Sequence, residues 1–360
     1  MADIIEHPCG KGWFVIQKSH KTATLIFLVF VGLVFLTLVT AAITDGPKLL
    51  SVVNDLKMGS LVFAMACMVV SYLGIALSFS GLFEMTTYRI KFATLFSITF
   101  VAATFNYVVS TAGVSSLAVR AFLFKQHKIP YTTTLPLSVA QSMITNIVLA
   151  VMCMGGLLYL NLHPEMVGPV ERGVIAGLVG VLALLVIAVM MIFFHTGSRN
   201  FLLDKGTRWG GALLNRMTRG RFPVERLKAI RANLEDSIRL LHKGWLQLFV
   251  TMFWITMDWT FTAMTLYFCF QAVGVNLSLG LVLVGFSVAF LTSTVNFVPA
   301  GLGITEMAVT GTYIHLLKVA PEKAVVATIL FRIIYFLIPL AVSTALYLDT
   351  MRTAYKNQKS

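Results

Sequence analysis

The chain is 360 residues long, and 58% of these residues are hydrophobic while only 12% are charged, with a formal net charge of +13. A soluble domain of this length does not need so much apolar surface, and several apolar runs approach the ~20 residues that cross a bilayer. The composition therefore excludes an ordinary soluble protein and predicts an all-α polytopic membrane protein. We expect the basic charge to reflect orientation in the membrane and not nucleic-acid binding.

The four cysteines, Cys9, Cys67, Cys153 and Cys269, are scattered and form no Cys-x-x-Cys pair. Three of them lie inside apolar runs, which is typical of small core residues and not of a disulfide framework or a metal site. We expect neither a metal nor another cofactor.

Six apolar runs are long enough to cross the membrane completely, and polar or Gly/Pro-containing segments separate them. Two other apolar runs, 92–124 and 279–317, are interrupted in the middle by small residues. We predict one integral membrane domain over residues 1–360. After a basic leader at 1–22, its full spans are 23–43, 59–80, 134–160 (with Pro136 in its first turn), 172–195, 244–273 and 322–348.

The two interrupted runs contain a repeat. The stretch NYVVSTAGVSSLAVRA, which begins at Asn106, aligns without a gap with NFVPAGLGITEMAVTG, which begins at Asn296, and Gly113 then matches Gly303. Matching breaks in two apolar segments are typical of re-entrant helices and indicate a transporter's binding site. Chance similarity between apolar segments is the alternative, but the matched Asn and Gly lie at the breaks and not in the apolar filler. We predict two re-entrant helical hairpins.

The distribution of Lys and Arg predicts the topology. If both interrupted runs return to the side from which they enter, the loops on the side of the termini carry 21 Lys and Arg residues and the opposite loops carry five. If both runs crossed completely, the basic segment 196–243 would lie outside. The positive-inside rule favours hairpins that enter from opposite faces, an inverted repeat, with both termini in the cytoplasm of a bacterial-type inner membrane.

Segment 196–243 is the longest polar stretch, and it contains eleven Lys and Arg residues against four Asp and Glu residues. Apolar residues between 224 and 241 recur at spacings of three and four, which predicts an amphipathic helix after Pro223. Its basic flank suits an anionic membrane surface. A solvated helical loop is the alternative, and the sequence leaves both open.

The second repeat and the last span resemble a known family. The stretch N-x-V-P-A-G-L-G-I-T-E at 296–306, followed by F-R-I-I-Y-F at 331–336, is similar to the transmembrane region of lysylphosphatidylglycerol synthases. The stretch V-S-T-A-G-V-S-S-L-A-V-R-A-F-L at 109–123 is similar to the family's first signature, although Ser115 and Ser116 stand where the family has an acidic residue. The resemblance implies a flippase-like protein without the soluble synthase domain, which moves a lipid or a lipid-linked group between leaflets.

Two charged residues, Arg120 and Glu306, lie within the interrupted runs, and a third, Arg332, lies in the last full span. Arg120 either binds a phosphate through its guanidinium or snorkels to the cytoplasmic surface. Arg332 lies in the middle of a span, where an isolated charge is costly, so a functional role or a buried pairing is expected. Glu306 either complements the helix dipole behind Thr305 as N-cap or acts as a counter-ion or proton carrier. An ion pair between Glu306 and Arg332 fits both interpretations.

The other candidates are polar or conformational. The Asn residues at the breaks are expected to satisfy freed backbone groups, and the glycines to permit unusual backbone conformations. Asp258 lies in the middle of span 244–273 and either pairs with an Arg or titrates during transport. The predicted substrate-binding set is Arg120, Arg332, Glu306, Asn106, Asn296, Gly113, Pro299, Gly301, Gly303, Thr305 and Asp258, with no catalytic residue.

These features predict a transporter that moves a lipid or a lipid-linked anionic headgroup between leaflets. The alternative is a membrane-embedded enzyme or accessory subunit that modifies a lipid headgroup. Against an enzyme, the sequence has no nucleotide-binding loop, no G-x-S-x-G and no His-based metal motif. The expected partner is a membrane lipid, and homo-oligomerisation stays open.

Overall fold

A computed structural model describes residues 47–108, 114–194, 244–295 and 304–347, and these residues form helices and connecting turns without a strand. The all-α prediction is confirmed. A short helical stretch at 47–54 precedes the long elements. The long helices are α1 (Met58–Phe83), α2 (Phe92–Val108), α3 (Val114–Gln126), α4 (Tyr131–Leu162), α5 (Pro169–Phe194), α6 (Trp245–Ala272), α7 (Leu279–Val295), α8 (Ile304–Leu317) and α9 (Pro321–Tyr347).

Four of the described helices, α1, α4, α5 and α9, are long and apolar enough to cross a membrane. Helix α6 has 28 residues and is long enough as well, but polar residues such as Asp258 and Gln271 lower its mean hydropathy. The predicted span 23–43 and the amphipathic segment 224–241 lie outside the described residues. The count of six full spans therefore stays a prediction.

Several helices begin at or directly after a proline, and one predicted helix start differs from the structure. Pro321 is in the first turn of α9, where its missing N–H has no intrahelical partner to lose. Pro47 begins the helical stretch at 47–54, which the sequence did not indicate. The prediction that Pro136 lies in the first turn of its helix is wrong, because α4 already begins at Tyr131, directly after the extended Pro130.

The helices run between two ends of the bundle. We call the end that contains residues 84–91 and 244 the near end, and the end that contains residues 55–57 and 273–278 the far end. At the far end, the Lys57 amide donates to the Ala272 carbonyl oxygen at 3.0 Å. At the near end, the space beside Gly244 is occupied by Met85. Helices α1 and α6 therefore run antiparallel, as spans that cross a membrane in opposite directions do.

The two helices that flank each repeat break pack against each other, α2 against α3 and α7 against α8. The two pairs are anchored at opposite ends of the bundle. The end of α3 lies at the near end, where the Phe124 ring stacks on the Phe83 ring with centroids 5.6 Å apart. The start of α7 and the end of α8 lie at the far end, where Leu281 and Leu316 line one cavity. The breaks themselves, 109–113 and 296–303, lie outside the described residues.

Helices α1 and α6 approach each other closely because α1 presents small residues to α6. A Cβ on Gly74 would lie 3.0 Å from the Trp254 carbonyl oxygen and 3.2 Å from the Asp258 amide nitrogen. Small residues permit such contact between membrane helices and bring backbone and short polar side chains together. The small residues of this seam are Ser71, Gly74, Ser78 and Gly81.

Candidate functional site

The clearest charged contact joins α8 to α9. Arg332 Nε lies 2.8 Å from Glu306 Oε1, and the two side chains are 10% and 20% exposed. The guanidinium carbon also lies 4.4 Å from the centroid of the Phe336 ring, a cation–π distance. The predicted Glu306–Arg332 pair is confirmed, and it holds a guanidinium in the middle of a 27-residue apolar helix.

The start of α8 keeps unused hydrogen-bonding capacity. Glu306 Oε2 and Thr305 Oγ1 are buried and have no hydrogen-bond partner among the residues that the structure describes. The prediction that Thr305 is the N-cap is wrong, because α8 begins at Ile304 and Thr305 lies within its first turn. The first amides of a helix lack intrahelical acceptors and favour negative charge. This turn, with Arg332 beside it, has the donors that an anion requires.

Helix α9 changes its winding directly after the arginine. Residues Ile333–Leu337 form a π-helical turn inside the otherwise α-helical element. Such turns are rare and are frequent at functional sites, because the extra residue per turn loosens the local hydrogen bonding and re-aims side chains. The turn carries Tyr335 towards α1, where the Tyr72 hydroxyl donates to the Tyr335 carbonyl oxygen at 3.0 Å.

Asp258 lies in a cluster of hydroxyl groups between α1, α6 and α9. The Ser71 hydroxyl donates to Asp258 Oδ1 at 2.5 Å and lies 3.0 Å from the Tyr335 hydroxyl. The Thr262 hydroxyl lies 3.1 Å from Ser71 and 2.7 Å from Tyr335. In the described part of the chain, Asp258 has no arginine partner, so the pairing alternative is not supported.

Arg120 lies in a separate polar cluster, which is closer to the near end of the bundle than the Asp258 cluster is. It is 6% exposed, donates through Nη1 to Gln141 Oε1, and lies over the Phe79 ring at 4.7 Å. Gln141 in turn donates to Ser78 Oγ at 2.6 Å and to the Ile75 carbonyl oxygen at 3.2 Å. This burial argues against the snorkelling interpretation. Within the described ranges the buried Arg120 Nε has no hydrogen-bond partner, so the side chain keeps a donor for a ligand.

One face of α1 connects the two clusters. Ser71 belongs to the Asp258 cluster and Ser78 to the Arg120 cluster, and two helical turns, about 10 Å, separate them along the helix axis. Tyr335 then links the Asp258 cluster to α9, which carries Arg332 one turn earlier. The described part of the bundle thus contains a line of connected polar groups in its interior.

The structure brings together some predicted residues and does not describe others. Asn106 lies half-buried near the end of α2. We expect Arg120, Arg332 and Glu306 to line one cavity where the two hairpins meet, and this stays a prediction because the breaks that would bound it lie outside the described residues. Two cavities of about 320 and 500 Å³ lie at the far end, and neither is lined by these residues. The residues outside the described ranges are Gly113, Asn296, Pro299, Gly301 and Gly303.

Sequence reasoning missed the polar residues that surround the predicted charges. Ser71, Gln141 and Tyr335 were not selected, although they hold Asp258 and Arg120 in place. A signal was present on α1, where four small residues recur at spacings of three and four. A face of this kind in an apolar helix predicts close contact with another helix.

No group of three or more His, Cys, Asp or Glu side chains suited to a metal ion occurs in the described ranges. In a comparison with protein families, the family model described as the lysylphosphatidylglycerol synthase TM region matches residues 24–343. A search of curated proteins finds no match.

Proposed function

Because the chain belongs to the lysylphosphatidylglycerol synthase transmembrane-region family, we propose that this integral membrane protein carries a lipid with an anionic headgroup from one leaflet to the other without changing it chemically. The observation that carries the proposal is the buried Arg332–Glu306 pair at the start of α8. It supplies a cation, a displaceable carboxylate and unused donors at one place in the apolar bundle.

The headgroup anion replaces Glu306 on Arg332. A guanidinium offers a planar fork that matches phosphate and carboxylate oxygens in a bidentate manner. Because one anion replaces another, Arg332 stays paired and avoids the cost of a lone buried charge, which is several kcal/mol per ion. Thr305 Oγ1, which has no partner among the described residues, and the first amides of α8 then supply further donors.

The arrangement of the limbs supports an inverted repeat. The pair α2 and α3 is anchored at the near end and the pair α7 and α8 at the far end. Two re-entrant hairpins of this kind would bring both breaks towards the middle of the membrane. In transporters with inverted repeats, the substrate site lies at that depth and the two repeats open alternately to the two sides.

The proposed location is a bacterial-type inner membrane with both termini in the cytoplasm. The ratio of 21 to five Lys and Arg residues between the two sets of loops supports this orientation. The near end of the bundle is then cytoplasmic, and the first repeat enters from that side.

The test is leaflet exchange in liposomes that contain the purified protein and a fluorescent anionic phospholipid. Membrane-impermeant reduction of the fluorophore measures the fraction in the outer leaflet. We expect wild-type protein to exchange the lipid, Arg332→Gln to abolish exchange and Glu306→Gln to slow it. The matched control is Arg89→Gln, because Arg89 is an exposed arginine in the link between α1 and α2.

The double variant Arg332→Gln/Glu306→Gln tests the pairing itself. It leaves no lone buried charge, so it should be more stable than Arg332→Gln alone while remaining inactive. Full exchange by well-folded Arg332→Gln protein would refute the site. Recovery of a chemically modified lipid, detected by mass spectrometry, would instead support the enzyme alternative.

A further inference from the structure

Asp258 is a carboxyl group in a place that disfavours a lone negative charge. It lies in the middle of α6 and is 4% exposed. Its only side-chain hydrogen bond in the described part of the chain comes from Ser71, and no Lys, Arg or His of that part lies within ion-pair distance of it. Burial of an ionised carboxylate without a cation is strongly unfavourable, so a bound proton stabilises this environment.

The hydroxyl groups around Asp258 form a connected chain. The Thr262 hydroxyl donates to the Tyr335 hydroxyl at 2.7 Å, and with the Ser71 proton given to Asp258 Oδ1, the Ser71 oxygen can accept from Tyr335 along the 3.0 Å contact. Thr262 can donate to the Asp258 backbone oxygen at 2.9 Å. The Ser71 bond to Oδ1 leaves the acid proton to the other carboxyl oxygen, Oδ2.

The groups that face Asp258 come from each helix of the cluster. Helix α1 contributes the hydroxyls of Ser71 and Tyr72, α6 contributes Thr262, and α9 contributes Tyr335. The nearest charged groups along these helices are Arg332, one turn before Tyr335 on α9, with Glu306 bound to it. Arg120 is reached two turns along α1, through Ser78 and Gln141.

The formal charges of this group favour joint binding of a proton and an anion. Arg332 is one cation, whereas Glu306 and Asp258 are two carboxyl groups. With both carboxyls ionised, the group has an excess negative charge, and an arriving anionic headgroup increases it. A proton on Asp258 removes one negative charge and thereby strengthens binding of the anion at Arg332.

We infer that Asp258 is a proton-binding site linked to the headgroup site, so that a proton binds when the anionic headgroup binds and leaves when it leaves. The Tyr335–Ser71 chain and the π-helical turn of α9 connect the two places. No bond other than the O–H bond of Asp258 forms or breaks, and the proton comes from water on the side where the lipid enters. The inference rests on the proposed function, because it names the ion that accompanies the lipid.

Transport under an imposed pH gradient tests the coupling. Liposomes containing fluorescent anionic phospholipid are prepared with the acidic side either inside or outside. With wild-type protein, exchange from the acidic to the alkaline side should exceed the reverse, up to about tenfold per pH unit for one coupled proton. Asp258→Asn, which keeps an acceptor for Ser71 and mimics the protonated acid, should exchange lipid at a rate that does not depend on the gradient.

The matched control is Asp55→Asn, because Asp55 is an exposed aspartate at the far end, and its exchange should keep the wild-type gradient dependence. Equal rates in both directions for wild-type protein would overturn the coupling. A gradient response retained by Asp258→Asn would overturn the assignment to this residue. Tyr335→Phe, which removes the hydroxyl but keeps the ring, should weaken the gradient dependence.

A second measurement separates this inference from the proposed function. Infrared spectroscopy of the purified protein detects a protonated carboxyl by its C=O stretch, which needs no transport. We expect a band that is absent in Asp258→Asn, present in Asp55→Asn, and increased when anionic phospholipid is added. If neither wild-type protein nor any variant moved lipid, the proposed function and the proton coupling would both be refuted. The infrared band would still show whether Asp258 binds a proton. Absence of the band at every pH from mildly acidic to mildly alkaline would overturn it.

Discussion

The two buried arginines of the described chain balance their charge differently. Arg332 faces a carboxylate, Glu306, at 2.8 Å. Arg120 has an amide oxygen and an aromatic ring as partners, and no carboxylate of the described residues lies within ion-pair distance. An amide dipole and a ring quadrupole compensate a full charge only in part. Arg120 is therefore the arginine that would gain more from a passing anion.

Gln141 is expected to be essential for holding that charge. Replacing Gln141 with Ala removes the acceptor of Arg120 and also the donor to Ser78 and to the Ile75 carbonyl. Loss of a hydrogen bond to a buried charged group should destabilise the protein by about 1.5–3 kcal/mol. Denaturant titration in detergent micelles measures the change.

The matched control for Gln141→Ala is Gln271→Ala, at the end of α6. Its Oε1 accepts only a long 3.4 Å bond from Ser60, so the loss should stay below about 1 kcal/mol. Equal destabilisation by the two substitutions would contradict a special role for Gln141.

The sequence predicted the Arg332–Glu306 pair but not the partners of Arg120. Glu306 could be selected because it is the acidic residue next to a recognisable break, close to the one arginine in the last span. Gln141 lies on another helix, and neutral amides in apolar spans give no charge signal. Which face of α4 meets α3 depends on packing, and the hydrophobic pattern of a helix that is apolar on all sides does not fix its rotation.

At the scale of the elements, the contact between α1 and α6 positions the Asp258 cluster. The close approach at Gly74 lets Ser71 reach Asp258 at 2.5 Å and lets the Thr251 hydroxyl donate to the Ser78 carbonyl oxygen at 3.2 Å. Lipid provides no hydrophobic force that would drive two apolar helices together, so such packing and short polar contacts contribute much of the association.

Gly74→Ala should therefore destabilise the protein even though alanine is the better helix former. The added methyl group would meet backbone atoms of α6, which cannot rotate away as a side chain can. We expect a loss of about 1–3 kcal/mol, the usual cost of overpacking, and weaker proton binding by Asp258 in the infrared titration. Thermal unfolding in detergent measures the stability.

The control is Gly155→Ala on α4, where the added Cβ would meet no atom within 4 Å. That substitution should be neutral or stabilising by up to about 1 kcal/mol, because it removes a helix-interior glycine. A loss at position 155 as large as that at position 74 would show that the effect comes from glycine itself and not from the contact with α6.

Element positions were predicted more completely than element details. Five of the six predicted spans and the four limbs of the two interrupted runs correspond to α1–α9, with ends that agree within a few residues, because length and hydropathy suffice to find membrane helices. The π-helical turn at Ile333–Leu337 was not predicted. Within this turn Tyr335 contacts Ser71 and Tyr72 of α1, and local sequence does not encode contacts between separate helices.

At the scale of the molecule, the loops separate into two sets that agree with the charge analysis. Lys48, Lys318 and Lys323 line cavities at the far end, and all three belong to the sparsely charged set. Lys125 lies 5.3 Å from the Tyr131 ring centroid, at the junction of α3 and α4 and within the richly charged set. The fold thus keeps apart two populations of loops that the positive-inside rule assigns to different compartments.

Chemical labelling of single cysteines tests this orientation in cells. In a variant whose four native cysteines are replaced, a cysteine at position 127, between α3 and α4, should react with a membrane-impermeant maleimide only after the membrane is permeabilised. A cysteine at position 318, between α8 and α9, should react in intact cells, because the far end faces outwards if the charge bias sets the topology. The two positions serve as controls for each other, since both follow the second limb of a repeat. Labelling of both from outside would mean that the first repeat crosses the membrane completely, and the inverted pair of hairpins proposed for lipid transport would then be lost.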